Sequence, residues 1–139
     1  ATVSGSNTLV YTDGSVKAGT MYTYTVRAYK GSALSAYNKN GSRIVRLTAP
    51  VQYKPSSKAS GKLTVRWKKA AGASSYQIQY AASRSMRGSR TVSTSALTRT
   101  LSGLKKGSTC YVRIRSCKKV NGKAYYGTWS SVKNAKVRK

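Results

Sequence analysis

The amino-acid sequence predicts an all-β fold, an antiparallel two-sheet β-sandwich, with one complete domain at residues 50–139 and a partial domain at residues 1–49. Three observations lead to this prediction. Apolar and polar residues alternate in several short segments, no segment repeats its apolar residues at the helical period of about 3.6, and part of the pattern occurs twice along the chain.

The alternation is clearest in residues 63–68, 76–80 and 112–115. In the first of these segments, Trp67 and two aliphatic residues alternate with Thr, Arg and Lys. Glycine, serine and asparagine lie between the segments, which is typical of short strands with one buried face. The 11 Tyr and 2 Trp of the chain also favour strands, because aromatic side chains bury large areas on a pleated sheet.

Residues 50–139 contain about seven predicted strands. Asn121-Gly122 is the strongest hairpin signal, because a type I′ turn requires positive φ at both central residues. Seven short strands separated by turns favour a two-sheet sandwich. The predicted strands are residues 51–53, 63–68, 75–80, 90–93, 98–101, 109–117 and 125–137, the last interrupted near Gly127.

Part of this pattern occurs twice. A shift of 88 residues aligns residues 16–30 with residues 104–118. Self-similarity at the length of a sandwich domain indicates two copies of one domain, and Pro50 marks the join, since proline ends a central strand. The aligned pairs are Val16 with Leu104, Gly19 with Gly107, Tyr22 with Cys110, Val26 with Ile114, Arg27 with Arg115 and Tyr29 with Cys117.

The complete copy resembles a fibronectin type III domain. Residues 104–115 are similar to the E–F corner and F strand of that family, and residues 127–130 to the start of its last strand. Residues 65–68 resemble the B strand with its core tryptophan, and residues 76–80 the C strand. Within the family, the chain most resembles the lysine-rich repeats of Gram-positive bacterial cell-surface and secreted proteins. The resemblance implies a noncatalytic binding or spacer module, extracellular and either secreted or associated with the cell wall.

Residues 1–49 resemble only the back half of the same domain. Strands are predicted near residues 8–11, 21–29 and 43–47, with residues 1–3 as the tail of an earlier strand. The tryptophan-bearing B strand and the C strand are missing, so an inward face around Tyr22, Tyr24 and Val26 lacks its partners. Two explanations remain open. The simpler is that the chain is a fragment of a longer array; the other is that a neighbouring chain donates the missing strands, giving a dimer or filament.

Composition argues against catalysis. The chain has 27 Lys and Arg, a single acid at Asp13 and no His, for a net charge of +26. Paired carboxylates, a His-containing triad and a His or carboxylate metal site therefore lack their parts. We expect no enzymatic activity, cofactor or metal. We also expect no membrane span, because no run approaches the roughly 20 apolar residues that one requires.

The charge predicts acidic partners. Residues 50–139 hold 21 of the basic residues and no acid, and such self-repulsion is relieved by bound anions. The expected partners are anionic polymers, namely teichoic acid and sulfated or sialylated glycans, or a host or bacterial surface protein. Alternating side chains on the 109–117 strand and its continuation into the hairpin predict one polyanion-binding surface. Its residues are Tyr111, Arg113, Arg115, Lys118, Lys119, Lys123 and Tyr125.

Less specific explanations of the charge also stand. The basic residues can form a solvated lysine-rich coat with no defined site. Nonspecific nucleic-acid binding is a further alternative, since counterion release needs only positive charge and the sequence has no RNP-type aromatic motif, zinc finger or recognition helix. Residues 83–90 predict a basic loop. Such a loop can contact phosphate, but loops of this composition more often have no ligand. Lysines and a glycine at residues 105–107 superficially suggest phosphate binding, but they lack the upstream glycine of a P-loop, so we do not predict a phosphate site there.

The two cysteines are not predicted to pair. Cys110 and Cys117 lie on one strand about 23 Å apart, far beyond the Cα separation of about 7 Å that a disulfide allows. Cys110 occupies the position that the resemblance gives to a corner tyrosine, which Tyr22 keeps in the first copy, so its thiol is expected to face inward without the hydroxyl hydrogen bond. Cys117 is expected to face outward, either as an incidental free thiol or in an intermolecular disulfide.

Overall fold

Antiparallel β-strands account for all the regular secondary structure in the part of the chain described by the computed structural model, residues 1–5 and 10–139. Within those residues there is no helix, so the predicted all-β class is confirmed. The strands are β1 (Met21–Tyr24), β2 (Tyr29–Lys30), β3 (Ala33–Leu34), β4 (Ser42–Val45), β5 (Leu63–Arg66), β6 (Ser75–Ala81), β7 (Arg90–Thr94), β8 (Thr98–Leu101), β9 (Thr109–Val120), β10 (Lys123–Tyr126) and β11 (Lys133–Lys136).

Residues 50–139 form a sandwich of two sheets. One sheet has the order β10-β9-β6-β7, and β11 pairs with the other end of β9. The second sheet contains β5 and β8, and residues 52 and 56 extend it through bridges to Trp67 and Thr64. The core lies between the two sheets and consists mainly of Leu63, Val65, Trp67, Tyr76, Ile78, Leu101, Val112, Ile114 and Val137.

The period-two pattern explains this core. Along β9, Cys110, Val112 and Ile114 are buried, while the residues between them are only half-buried. Each fully buried aliphatic side chain of this kind contributes roughly 1.5–3 kcal/mol relative to an exposed one. Trp67 of the opposite sheet packs edge-on against Tyr76, with ring centroids 5.4 Å apart. The two sheets therefore meet through large apolar side chains that alternation places on one face.

The predicted strands of this domain are largely confirmed, except that residues 51–53 form only an isolated bridge at Gln52 and several strand ends are corrected. Residues 98–101 form a strand as predicted, whereas β9 continues past residue 117 to Val120. The strand predicted at residues 125–137 is two strands, because residues 127–132 leave the ladder. Asn121 and Gly122 have φ values of 49° and 78°, which confirms positive φ at both central positions of the hairpin.

Residues 10–49 contain an antiparallel ribbon. β1 pairs with β4 and β2 with β3, so the strand predicted at residues 21–29 is interrupted, and the one predicted at residues 43–47 is β4. Residues 1–3 form no strand. The strand predicted at residues 8–11 falls partly on residues 6–9, outside the described residues, and residues 10 and 11 are not in a strand.

One face of this ribbon is uncovered. Val26 is 73% exposed, and Ile44 is 56% exposed. The residue aligned with Val26 is Ile114, which is 0% exposed in the sandwich. Ile44 pairs with Tyr22, which alternation places on the same side as Val26, and we call the ribbon surface formed by Val26 and Ile44 the open face.

The ribbon is attached to the sandwich by polar contacts and close backbone packing. The Lys118 Nζ donates to the Gly19 carbonyl at 2.5 Å, and the Ser116 hydroxyl donates to the Thr48 carbonyl at 2.5 Å. Gly19 also packs against Gly72 so closely that a Cβ on either residue would collide with the backbone of the other. Apolar packing also contributes, since Val45 of β4 is only 4% exposed and β4 contacts β10.

Candidate polyanion-binding surface

The outer face of the larger sheet carries two arginines opposite two glutamines. Arg113 and Arg115 lie on β9, on the face turned away from the core, and both are half-buried. The strand register pairs Gln79 with Arg113 and Gln77 with Arg115. Because directly paired residues of adjacent strands point to the same side, the four side chains share one surface.

The glutamines orient the guanidinium groups. The Arg113 Nε donates to the Gln79 Oε1 at 2.6 Å. The Arg115 Nε and Nη2 both donate to the Gln77 Oε1, at 3.0 and 2.7 Å. Gln79 is itself held by its amide, which donates to the Ser89 hydroxyl at 2.7 Å. Both arginines are therefore fixed in position by neutral side chains rather than by carboxylates.

Aromatic rings stack on the same guanidinium groups. The Arg115 guanidinium carbon lies 4.0 Å from the Tyr126 ring centroid and 4.5 Å from that of Trp129. The Arg113 guanidinium carbon lies 4.7 Å from the Trp129 centroid. We call Tyr126, Arg115, Trp129 and Arg113 the arginine ladder. Each stacked contact contributes about 0.5–1 kcal/mol at such partly exposed positions.

Irregular backbone places the tryptophan in the ladder. Gly127 donates its N–H to the Ser116 carbonyl at 3.0 Å, where the chain leaves the strand. Three residues on, the Ser130 N–H donates to the Ile114 carbonyl at 2.7 Å, and the Ile114 N–H donates to the Ser130 hydroxyl at 3.0 Å. Trp129 is held between these two attachments and lies across the arginines.

The ladder leaves guanidinium donors free for a ligand. An arginine side chain has five N–H donors. Arg113 uses only its Nε and Arg115 only its Nε and one Nη2 hydrogen in hydrogen bonds with described residues. The remaining Nη donors suit carboxylate, sulfate or phosphate oxygens, which guanidinium groups bind in bidentate geometry. Because both side chains are already ordered, binding an anion costs little rotamer entropy.

The structure does not bring all seven predicted site residues together. Tyr111, Arg113, Arg115 and the exposed Lys119 lie on the outer face. The other three lie on the opposite side of the hairpin, where the register pairs Tyr125 with Lys118. Lys118 is engaged with Gly19, and the Lys123 Nζ lies 5.7 Å from the Tyr125 ring centroid. The single continuous surface is therefore corrected to two surfaces, since side chains alternate through the hairpin.

Sequence reasoning missed the residues that order the arginines. Gln77 and Gln79 alternate with buried residues on β6, so the period-two pattern already placed them on an outer face. Their partners depend on the register between β6 and β9, which brings together residues that are 34 and 38 positions apart in the sequence. Trp129 was placed at the start of the last strand, but no sequence signal pointed to its position over the arginines.

The cysteines agree only in part with expectation. Both are free, and Cys110 is buried at 4% exposure. Burial raises the pKa of the Cys110 thiol above its usual value, so it remains protonated near neutral pH. Cys117 pairs with Tyr126 of the arginine ladder and so lies on the outer face as predicted, but it is only 7% exposed because Ser75 and Tyr126 flank it on the neighbouring strands. A buried thiol of this kind does not suit an intermolecular disulfide.

Solved structures of fibronectin type III domains are similar to this chain. The fn3 domain of human contactin 1 is 17% identical, covering 69% of this chain and 83% of its own, with a TM-score of 0.57. The fourth FNIII domain of a human protein is 15% identical over 67% of this chain and 80% of its own, with a TM-score of 0.53. The FN1–FN3 domains of chicken CNTN1 are 20% identical over 93% of this chain and 46% of their own, with a TM-score of 0.55.

These likenesses confirm the fibronectin type III-like sandwich. No protein-family model matches the chain, and no curated protein matches it. Among the described residues, no helix is long and apolar enough to cross a membrane.

Proposed function

We propose that residues 50–139 form a noncatalytic binding and spacer module that attaches to anionic polymers through the outer face of β9. On this proposal the chain belongs to a Gram-positive bacterial surface or secreted protein and acts outside the cell. Its ligands are polymers such as teichoic acid or sulfated or sialylated glycans. The observation that carries the proposal is the arginine ladder, in which two guanidinium groups are ordered without a carboxylate.

The absence of acids in this domain strengthens the argument. Residues 50–139 contain no Asp or Glu, so no side-chain ion pair can form within them and every cation keeps its full charge for a ligand. A neighbouring carboxylate would neutralise an arginine locally and weaken its attraction for a distant anion. Here the unneutralised charge raises the local concentration of a polyanion, and the ladder offers it two fixed points of attachment.

A defined site predicts a position-dependent loss of binding. The variant Arg113→Gln with Arg115→Gln removes two charges from the ladder, and the matched control Arg66→Gln with Lys68→Gln removes two exposed charges elsewhere in the domain. We expect the ladder variant to weaken binding at least about tenfold more than the control. Thermal unfolding of both variants separates loss of the site from loss of the fold.

Binding is measured against heparin, a sialylated mucin, teichoic acid and duplex DNA, at equal charge concentration and at two salt concentrations. Screening weakens contacts between exposed charges as salt increases, so retention of one glycan at high salt supports the proposed site. Equal losses from the two double variants, or release of all four polymers together, would instead show a solvated basic coat. Near-equal affinity for DNA and the glycans would indicate nonspecific binding by charge.

A second candidate function is favoured by the open face. Val26 and Ile44 are more than half exposed on a ribbon whose counterpart is covered by a second sheet. Strands from a neighbouring chain would complete this half-domain and build a dimer or filament. Sedimentation at several concentrations tests the idea. Association that is lost on Val26→Asp and kept on Val51→Asp, a residue 62% exposed in the other domain, supports it; a monomer throughout contradicts it.

A further inference from the structure

The two copies of the strand corner have the same backbone. In the first copy the Gly19 N–H donates to the Arg46 carbonyl at 2.9 Å, and in the second the Gly107 N–H donates to the Val137 carbonyl at 2.9 Å. The next residue closes the same turn in both copies, through Thr20 to Lys17 and through Ser108 to Lys105, each at 3.3 Å. The corners can therefore be compared atom by atom.

They differ in the side chain that reaches from the strand back to the turn. In the first corner the Lys17 N–H donates to the Tyr22 hydroxyl at 2.9 Å, so the phenol ring spans the space between the strand and the turn. In the second corner the residue aligned with Tyr22 is Cys110, whose side chain is shorter by a whole ring. The Lys105 N–H, which corresponds to that of Lys17, has no hydrogen-bond acceptor among the described residues.

A cavity lies where the ring is missing. It has a volume of about 300 Å³ and opens to the surface, which is at the lower end of the size of small-molecule sites. Leu104, Lys105, Ser108 and Cys110 line it on the side of the corner, and Tyr80 and Arg90 line it on the facing side. The Tyr-to-Cys difference, between two corners with matching backbone hydrogen bonds, accounts for its position.

The lining favours an aromatic ligand that has an acceptor oxygen. Leu104, Cys110 and the Tyr80 ring provide apolar surface, and the buried thiol is neutral. At the turn, the free amide of Lys105 needs an acceptor. Arg90 and the Lys105 ammonium add positive charge to the lining, which favours an oxygen with full or partial negative charge.

We propose that this cavity binds a small phenol, with the ring in the place that the Tyr22 ring takes in the first corner and the phenolic oxygen accepting the Lys105 N–H. The site is separate from the arginine ladder, and binding there does not require a polyanion. The ligand class follows from the repeat itself, because the first corner contains a phenol covalently attached to the chain.

The test uses p-cresol, which has the structure of a tyrosine side chain. Its titration is followed through the Lys105 amide signal in ¹⁵N–¹H NMR spectra and through the melting temperature. We expect a dissociation constant on the order of 1 mM for a ligand of this size, and a rise in melting temperature of about 5 °C at ten times that concentration. Toluene, which lacks the acceptor oxygen, is expected to bind at least about tenfold more weakly.

Two variants locate the binding. Cys110→Tyr restores the ring, so it should raise the melting temperature and abolish the effect of p-cresol. Cys110→Ala leaves the cavity open and should bind p-cresol within about threefold of the unaltered chain. Absence of saturation by 10 mM p-cresol, shifts centred away from Lys105 and Ser108, or equal binding of toluene would each overturn the proposal. These readouts come from the unaltered chain and decide the matter even if Cys110→Tyr fails to fold.

Discussion

The ribbon in residues 16–47 and its counterpart in residues 104–138 have the same local structure in different surroundings. Each begins at an equivalent glycine corner, at Gly19 or Gly107, and continues through a short hairpin to a returning strand. The register also repeats, since Met21 pairs with Val45 as Thr109 pairs with Lys136. These shared features are encoded locally, by turn residues and alternation.

The resemblance extends to side-chain contacts. The Arg27 guanidinium carbon lies 4.6 Å from the Tyr37 ring centroid, a smaller version of the contact between Arg115 and Trp129. The Val26 N–H donates to the Asn38 Oδ1 at 2.7 Å, as the Ile114 N–H donates to a serine hydroxyl in the second copy. The stacked arginine is therefore a feature of the repeat, and only the second copy extends it into a ladder.

The difference between the regions is the second sheet. In the sandwich, the sheet of β5 and β8 covers the inner face of β9, whereas the open face of the ribbon has no such cover. A two-stranded hairpin is marginally stable on its own in water. Local sequence is therefore sufficient to specify the ribbon, while burial between the two sheets supplies most of the stability of the sandwich.

Alanine substitutions at the aligned residues Val26 and Ile114 should differ most in the free energy of unfolding that they cost. Ile114→Ala should lower the free energy of unfolding by about 3 kcal/mol, because it removes a fully buried side chain and leaves a cavity. Val26→Ala should change it by less than about 0.5 kcal/mol, since Val26 is 73% exposed. Urea denaturation followed by tryptophan fluorescence measures both. Similar losses would mean that the open face is covered in solution.

The next largest difference in stability is expected between Trp129 and Tyr37, the aromatic residues stacked on arginines in the two regions. Trp129→Ala removes contacts with two guanidinium groups and should cost about 2 kcal/mol, whereas Tyr37→Ala removes one exposed contact and should cost less than about 1 kcal/mol. Trp129→Phe, which keeps a ring, is the control and should recover part of the loss. If Trp129→Ala and Tyr37→Ala are equally mild in thermal unfolding, the ladder does not contribute to the stability of the sandwich.

The contact between the two regions is tested at Gly72. This residue has a φ of +78° and would collide with Gly19 if it carried a Cβ, so Gly72→Ala should cost about 2–3 kcal/mol and detach the ribbon. Gly88→Ala is the matched control, because Gly88 has a φ of +65° with open space around it, and should cost about 1 kcal/mol. Limited proteolysis of residues 10–47 reports detachment; equal cleavage of the two variants would argue against a specific contact.

The same contrast explains what the sequence could predict. Alternation in residues 109–115 and the Asn121-Gly122 pair depend on neighbours a few positions away, and both were predicted correctly. The burial of Cys117 and the contacts of Gln77 and Gln79 depend on strands far apart in the sequence, where register decides which side chains meet. The predicted site was divided for a related reason, since one residue of alternation moved Lys118 and Tyr125 to the opposite face.

The smallest expected effect is that of pH on stability, which should be seen in the ribbon and not in the sandwich. Hydrogen bonds from Ser15, and then from the Tyr24 hydroxyl at 3.0 Å, hold the pKa of Asp13 below its ordinary value of 3.8. A lowered folded-state pKa means that the charged carboxylate stabilises the ribbon above about pH 4, and that this contribution is lost as the pH falls through the folded-state pKa.

The sandwich at residues 50–139 has no Asp, Glu or His, so no side chain within it titrates between pH 7 and pH 3. Acidification should therefore shift NMR signals near Asp13 and Tyr24 while the unfolding of the sandwich stays unchanged, and Asp13→Asn should remove the pH dependence of those signals. A sandwich that loses stability in step with the ribbon would show that the two are energetically coupled through Gly19 and Lys118. The ribbon would then stabilise the sandwich in part, rather than only depend on it.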